Sequence, residues 1–81
     1  MNNNQNRPIR EIAQDIRKNW KKVYFGAVPY LDAMDSLSSI NDNYGMDDAR
    51  SIINYFLANA TSFKGEDARR IKAELKEISK W

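Results

Sequence analysis

With 81 residues, the chain has room for one domain and one modest core, burying about 60–65% of the surface that an unfolded chain exposes. A hydrophobic share of 42% and an aromatic share of 11% argue against general disorder, and no apolar run approaches the ~20 residues that cross a bilayer. The net charge of +2 is too small to announce a partner. The absence of both Cys and His excludes disulfides, thiolate zinc sites, Cys nucleophiles and any side chain that ordinarily titrates near neutral pH. A reducing compartment suits such a chain, so a cytoplasmic, non-secreted protein without a membrane span is the expectation.

Residues 1–6, Met-Asn-Asn-Asn-Gln-Asn, offer nothing to bury and read as a disordered polar tail; residues 7–81 read as a single helical domain. The first helix is expected from Pro8 to about Tyr24. Pro8 suits a first turn, and Ile9, Ile12, Ala13, Ile16, Trp20 and Val23 recur at three- and four-residue steps. Gly26 then reads as a left-handed stop. Val23-Tyr24-Phe25 is β-prone but has no evident partner strand, so it is not expected to pair.

The second helix is expected from about Ala27 to Ser39, with Pro29 in its first turn. Ala27, Tyr30, Leu31, Met34 and Leu37 share its inner face, opposite Asp32, Asp35, Ser36 and Ser39. Residues Asn41 to Gly45 are dense in turn formers and read as a loop. A third helix starts near Asp47, where Asp47 and Asp48 suit an N-terminus. Its broad stripe of Ala49, Ile52, Ile53, Phe56, Leu57 and Ala60 marks the central helix. After a connection from Asn59 to Gly65, with Phe63 folded back as an anchor, the fourth helix runs from about Glu66 to Ser79. It opens on Glu66 and Asp67 and closes on Lys76 and Lys80, the charge order that the helix dipole favours. The expected fold class is therefore all-α, a small bundle of four short amphipathic helices.

Charge is unevenly placed along these segments. Residues 7–26 hold six cations against two acids, residues 27–60 five acids against one Arg, and residues 61–81 six cations against four acids. At ~100° per residue, Arg69, Lys72, Lys76 and Lys80 form one row on the fourth helix. Arg10, Arg17 and Lys21 flank the apolar face of the first. If the two terminal helices pack side by side, the rows merge into one basic surface suited to a phosphate backbone. An ordinary solvated face accounts for the same pattern, because long cationic side chains commonly cover the margins of apolar stripes, and an acidic protein partner is the third reading.

Chemistry-bearing motifs fail on inspection. No Ser sits in a Gly-rich elbow, no phosphate-binding Gly loop is present, and Asp32 and Asp35 lie on a polar face where nothing would raise a pKa. Aligning Gly45 with the turn glycine of a calcium loop puts Ile40 and Ser51 at the two essential ligand positions. A helix-turn-helix reading brings Glu66 and Asp67, or Asp47 and Asp48, against phosphates with the wrong sign. Among the rings, Tyr55 points away from its helix's inner stripe and is a contact candidate, whereas Tyr24, Phe25 and Tyr30 crowd the first connection and read as closing the core.

Three segments also carry a resemblance: residues 19–31, from Asn19-Trp20-Lys21-Lys22 to Pro29-Tyr30-Leu31; residues 54–60, Asn54-Tyr55-Phe56-Leu57-Ala58-Asn59-Ala60; and residues 65–75, Gly65-Glu66-Asp67-Ala68-Arg69-Arg70 to Leu75. With Ile40-Asn41-Asp42-Asn43-Tyr44-Gly45, they resemble short proteins without assigned activity carried by bacterial phages, plasmids and integrative elements. That resemblance implies a bacterial setting and the roles of an adaptor, an inhibitor or a DNA-associated accessory, and transfers no functional residue. The reading that follows is a non-enzymatic module without cofactor or metal that binds a macromolecule, foremost a protein. The alternative is a DNA- or RNA-binding accessory using the basic rows of the first and fourth helices. The candidate surface is Arg10, Arg17, Lys21, Tyr55, Arg69, Lys72 and Lys76, and self-association is compatible with so small a core.

Overall fold

Ile9, Ile12, Ala13 and Ile16 bring one apolar stripe to the core, and they define helix α1, Ile9–Asn19. The structure, a computed structural model, describes residues 7–80; the tail expected at residues 1–6 and the terminal Trp81 lie outside the described residues. Helix α1 begins without a side-chain cap. Instead, its free Ile9 and Arg10 N–H groups donate to the carbonyls of Ser38 (3.1 Å) and Leu37 (2.8 Å), which satisfies two of the donors that every helix start leaves open.

Helix α1 also stops at Asn19, short of the expected Tyr24. Asn19 turns its amide back onto the carbonyl and carboxylate of Asp15, both at 2.9 Å, and Trp20 adopts an extended backbone. The Trp20 ring thereby enters the core, 5.0 Å from Phe63 in a near-parallel stack and 6.1 Å from Phe56 edge-on. Gly26 is not a left-handed stop. It lies in a 3-10 turn, Phe25–Ala27, and its lack of a side chain is used for close approach: a Cβ there would stand 2.5 Å from Cε2 of Tyr24 and 2.9 Å from Oδ1 of Asn59.

Helix α2, Val28–Met34, ends five residues before the expected Ser39. The chain tightens through bonds from Ser36 N to Ala33 O and from Leu37 N to Met34 O, so that Leu37 still reaches the core. The carboxylate of Asp42 then accepts the N–H groups of Ser38 (2.7 Å) and Ser39 (3.1 Å). These bonds hold its pKa below the usual carboxylate range and clamp the segment on which α1 rests.

The fold is mostly helical but not purely so. Strands β1, Asn43–Tyr44, and β2, Asp47–Asp48, pair antiparallel, with Asn43 opposite Asp48 and Tyr44 opposite Asp47. Gly45 takes φ +63° at the first position of the two-residue link, the position where such tight hairpins favour glycine. This ribbon corrects the loop and all-α expectations. A two-residue ladder leaves no periodic signature, and its exposed residues give no apolar alternation to read.

Helix α3, Ala49–Ala58, starts on Asp48, whose side chain accepts Ser51 N at 2.8 Å. Helix α4, Glu66–Ser79, follows the extended Gly65, at φ +112°, with the expected bounds. Ala68, Ile71, Leu75 and Ile78 of α4 meet Ile52, Ile53 and Phe56 of α3 and the stripe of α1 in one core. Arg7 pairs with Glu74 and Asp15 with Arg70, so α1 and α4 run antiparallel. Among the described residues, no helix is long and apolar enough to cross a membrane.

Candidate interaction surfaces

The seam between α1 and α4 is closed by charge. Arg7 donates from Nε and Nη2 to the two carboxylate oxygens of Glu74 at 3.0 and 2.7 Å and lies 3.1 Å from Asp15, which Arg70 approaches at 3.4 Å. The hydrogen bonds to Glu74 raise the Arg7 pKa further above its already high value. Burial pushes Asp15 up, but the hydrogen bonds from Arg7 and Arg70 outweigh it and hold the carboxyl below its ordinary range.

Arg10 and Arg17 face the other neighbour of α1. Arg10 donates to Ser38 Oγ at 2.7 Å, and Arg17 bridges Asp32 (2.8 Å) and Asp35 (2.7 Å) on the outer face of α2. Lys21 is exposed just past the end of α1. On α4, Arg70 and Glu74 occupy the flank turned to α1, so Arg69, Lys72 and Lys76, displaced around the helix by ~100° or more, occupy the opposite flank. The two basic rows are therefore kept apart, with Asp15 and Glu74 between them.

The second flank of α4 is a surface in its own right. Lys72 is half-buried, with Nζ 5.8 Å from the centre of the Phe63 ring, and Arg69 and Lys76 are exposed beside it. Burial, followed by the nearby charges of Lys76 and Lys64, lowers the Lys72 pKa. Phe63, Lys64, Gly65, Ala68, Arg69 and Lys72 line an open depression of about 370 Å³. Among the described residues, none of Lys64, Arg69, Lys72 and Lys76 has a carboxylate partner, whereas Arg7, Arg17, Arg70 and Lys80 all do. Lys64 was absent from the sequence-derived candidates because it sits in a connection, outside any helical row.

A third surface is aromatic. Phe25 is 79% exposed and lies 4.8 Å from the Tyr24 ring, which is itself exposed. Tyr55, 50% exposed, lies 5.4 Å from Tyr30, and Val28 is also open to solvent. Close approach of Tyr24 and Asn59 at Gly26, and the bond from Asn59 Nδ2 to Tyr55 O at 2.9 Å, join the two ring pairs across α2 and α3. Phe25 and Tyr24 thus do not close the core as expected. The reason is the early end of α1: Trp20 and Phe63 fill that space, and the 3-10 turn leaves Phe25 outside. Tyr55 stands exposed where its helical phase put it. At the N-terminal end of α3, the hairpin tip carries the fully exposed Met46. Among the described residues, no three His, Cys, Asp or Glu side chains gather in a way that could hold a metal ion. Comparison with protein-family models, with curated proteins and with solved structures gave no match.

Proposed function

We propose that this chain is a non-enzymatic helical module that binds another protein through the aromatic face of Phe25, Tyr24, Val28, Tyr30 and Tyr55. One observation carries the reading: a phenylalanine held 79% exposed on a well-defined turn, next to further exposed rings. Burying such a ring is favourable by roughly 1.5–3 kcal/mol, and its own fold leaves that gain unused. Rigid aromatic anchors are the residues that most often dominate protein interfaces, because they bring large contact area at low cost in side-chain entropy. The likeness to mobile-element proteins makes a bacterial cell the place to look for the partner, with an adaptor or an inhibitor as the role.

The test uses extract from a bacterial host and the full chain, comparing the native sequence with Phe25→Ala and Tyr55→Ala. Both variants should fold, with stability within about 0.5 kcal/mol of native, since neither ring is buried. A partner retained by the native chain and by Met46→Ala, but lost by Phe25→Ala, supports the reading. Identical capture by native chain and Phe25→Ala refutes it. Sedimentation of the same variants identifies the case in which the partner is a second copy.

A further inference from the structure

We propose that the outer flank of α4, formed by Lys64, Arg69, Lys72 and Lys76 around the Phe63 ring, is a second contact site, which takes an acidic amphipathic helix of a protein partner. The site shares no residue with the Phe25 face and does not depend on that reading.

The charge balance of the fold isolates this flank. Asp15 and Glu74 are engaged by Arg7 and Arg70, Asp32 and Asp35 by Arg17, and Asp42 and Asp48 by backbone N–H groups. Lys64, Lys72 and Lys76 stand close enough that each of the other two disfavours the charge on Lys72. Like charges gathered without counter-charge raise the energy of the free protein, and an anionic partner relieves that repulsion.

Spacing and shape narrow the partner. Arg69, Lys72 and Lys76 follow each other at about 4.5 and 6 Å along the axis, the rise that carboxylates at i, i+3 and i+7 of a second helix would reproduce. Beside this row, Phe63, Lys64, Gly65, Ala68, Arg69 and Lys72 line the 370 Å³ depression, with Phe63 and Ala68 buried at its floor; its volume has room for one apolar side chain. A phosphate backbone has no apolar group to place there. The seam acids also separate this flank from the cations of α1, so the two basic rows do not join into one track for a phosphate backbone. An acidic helix with an apolar residue next to its carboxylate row answers both features.

The experiment titrates the full chain, followed by NMR shifts and calorimetry. The probe is a 16-residue Ala-based peptide with Glu at i, i+3 and i+7 and Leu adjoining them. Controls are the same composition with scrambled spacing, and single- and double-stranded 16-mer DNA. The expected result is saturable peptide binding at low salt, weakened at least tenfold by Arg69→Glu with Lys76→Glu and severalfold by scrambling. The charge-matched pair Lys18→Glu with Lys22→Glu should leave it unchanged, and circular dichroism confirms that both double variants fold. Equal losses in the two double variants would reduce the effect to net charge. DNA displacing the peptide from this flank would make it a phosphate site, and absence of peptide binding at low salt would remove the site; each of these overturns the proposal. Phe25→Ala should leave peptide binding intact, so failure here and failure of the aromatic face are read separately.

Discussion

Both flanks of α4 carry cations, yet they end in opposite electrostatic states. Toward α1, Arg70 and Glu74 interlock with Arg7 and Asp15, and every charge has a counter-charge within 3.4 Å. Away from α1, Arg69, Lys72 and Lys76 gather with Lys64 and meet no carboxylate among the described residues. The lesson is that a helix's cations acquire their meaning from the neighbour that each flank receives. On the closed flank, charge orients two helices; on the open flank, it remains free for a partner.

The strongest way to break this comparison is to remove what supports both flanks. Trp20 ends α1 and stacks on Phe63, the ring beneath Lys72. Trp20→Ala should cost about 3–5 kcal/mol, read as a large fall in urea midpoint or outright loss of the folded signal. A loss below ~1 kcal/mol would show that the stack does not hold the two regions together.

Next comes the closed flank. Asp15→Asn removes the negative charge shared by Arg7 and Arg70 and sets an amide NH2 group in place of one carboxylate oxygen, and should cost about 1–2 kcal/mol in chemical denaturation, because Asp15 is mostly shielded from water. Lys76→Ala on the open flank should change stability by no more than ~0.5 kcal/mol in either direction. Similar losses in the two variants would erase the distinction.

The smallest effects concern pH, and they differ in sign. Asp15 has a folded pKa below its unfolded value, so its contribution is present above about pH 4 and is lost as pH falls through the depressed folded value. Lys72 also has a folded pKa below its unfolded value. Between that value and the ordinary lysine range the unfolded chain holds more protons, so stability gains a small increment as pH rises toward about 10.5. Denaturation midpoints should show the acid loss shrink in Asp15→Asn and the alkaline increment vanish in Lys72→Met.

Several of these features are legible in the sequence. The bounds of α4, the inner stripes of α1 and α3, the folded-back Phe63 and the common row of Arg69, Lys72 and Lys76 follow from period and composition. The ends of α1 and α2 are not, because neither is punctuated locally. Trp20 leaves the helix to reach Phe56 and Phe63, and the segment after Met34 unwinds to offer Leu37 and Ser38 carbonyls to the start of α1. The exposure of Phe25 was illegible for the same reason. A ring's burial depends on which other ring takes the space first.

The sequence by itself determined that helices form, which residues line their inner faces and which cations share a row, since 3.6-residue periodicity is a property of the chain's own order. Only the tertiary structure decided that Arg17 turns to α2 and Arg10 to the segment after it, that Arg7 and Arg70 meet Asp15 and Glu74 across the seam, and that Lys64 joins the row on α4. Pairing between charges far apart in the chain depends on how helices are juxtaposed, and that is set by core packing, which no local pattern encodes.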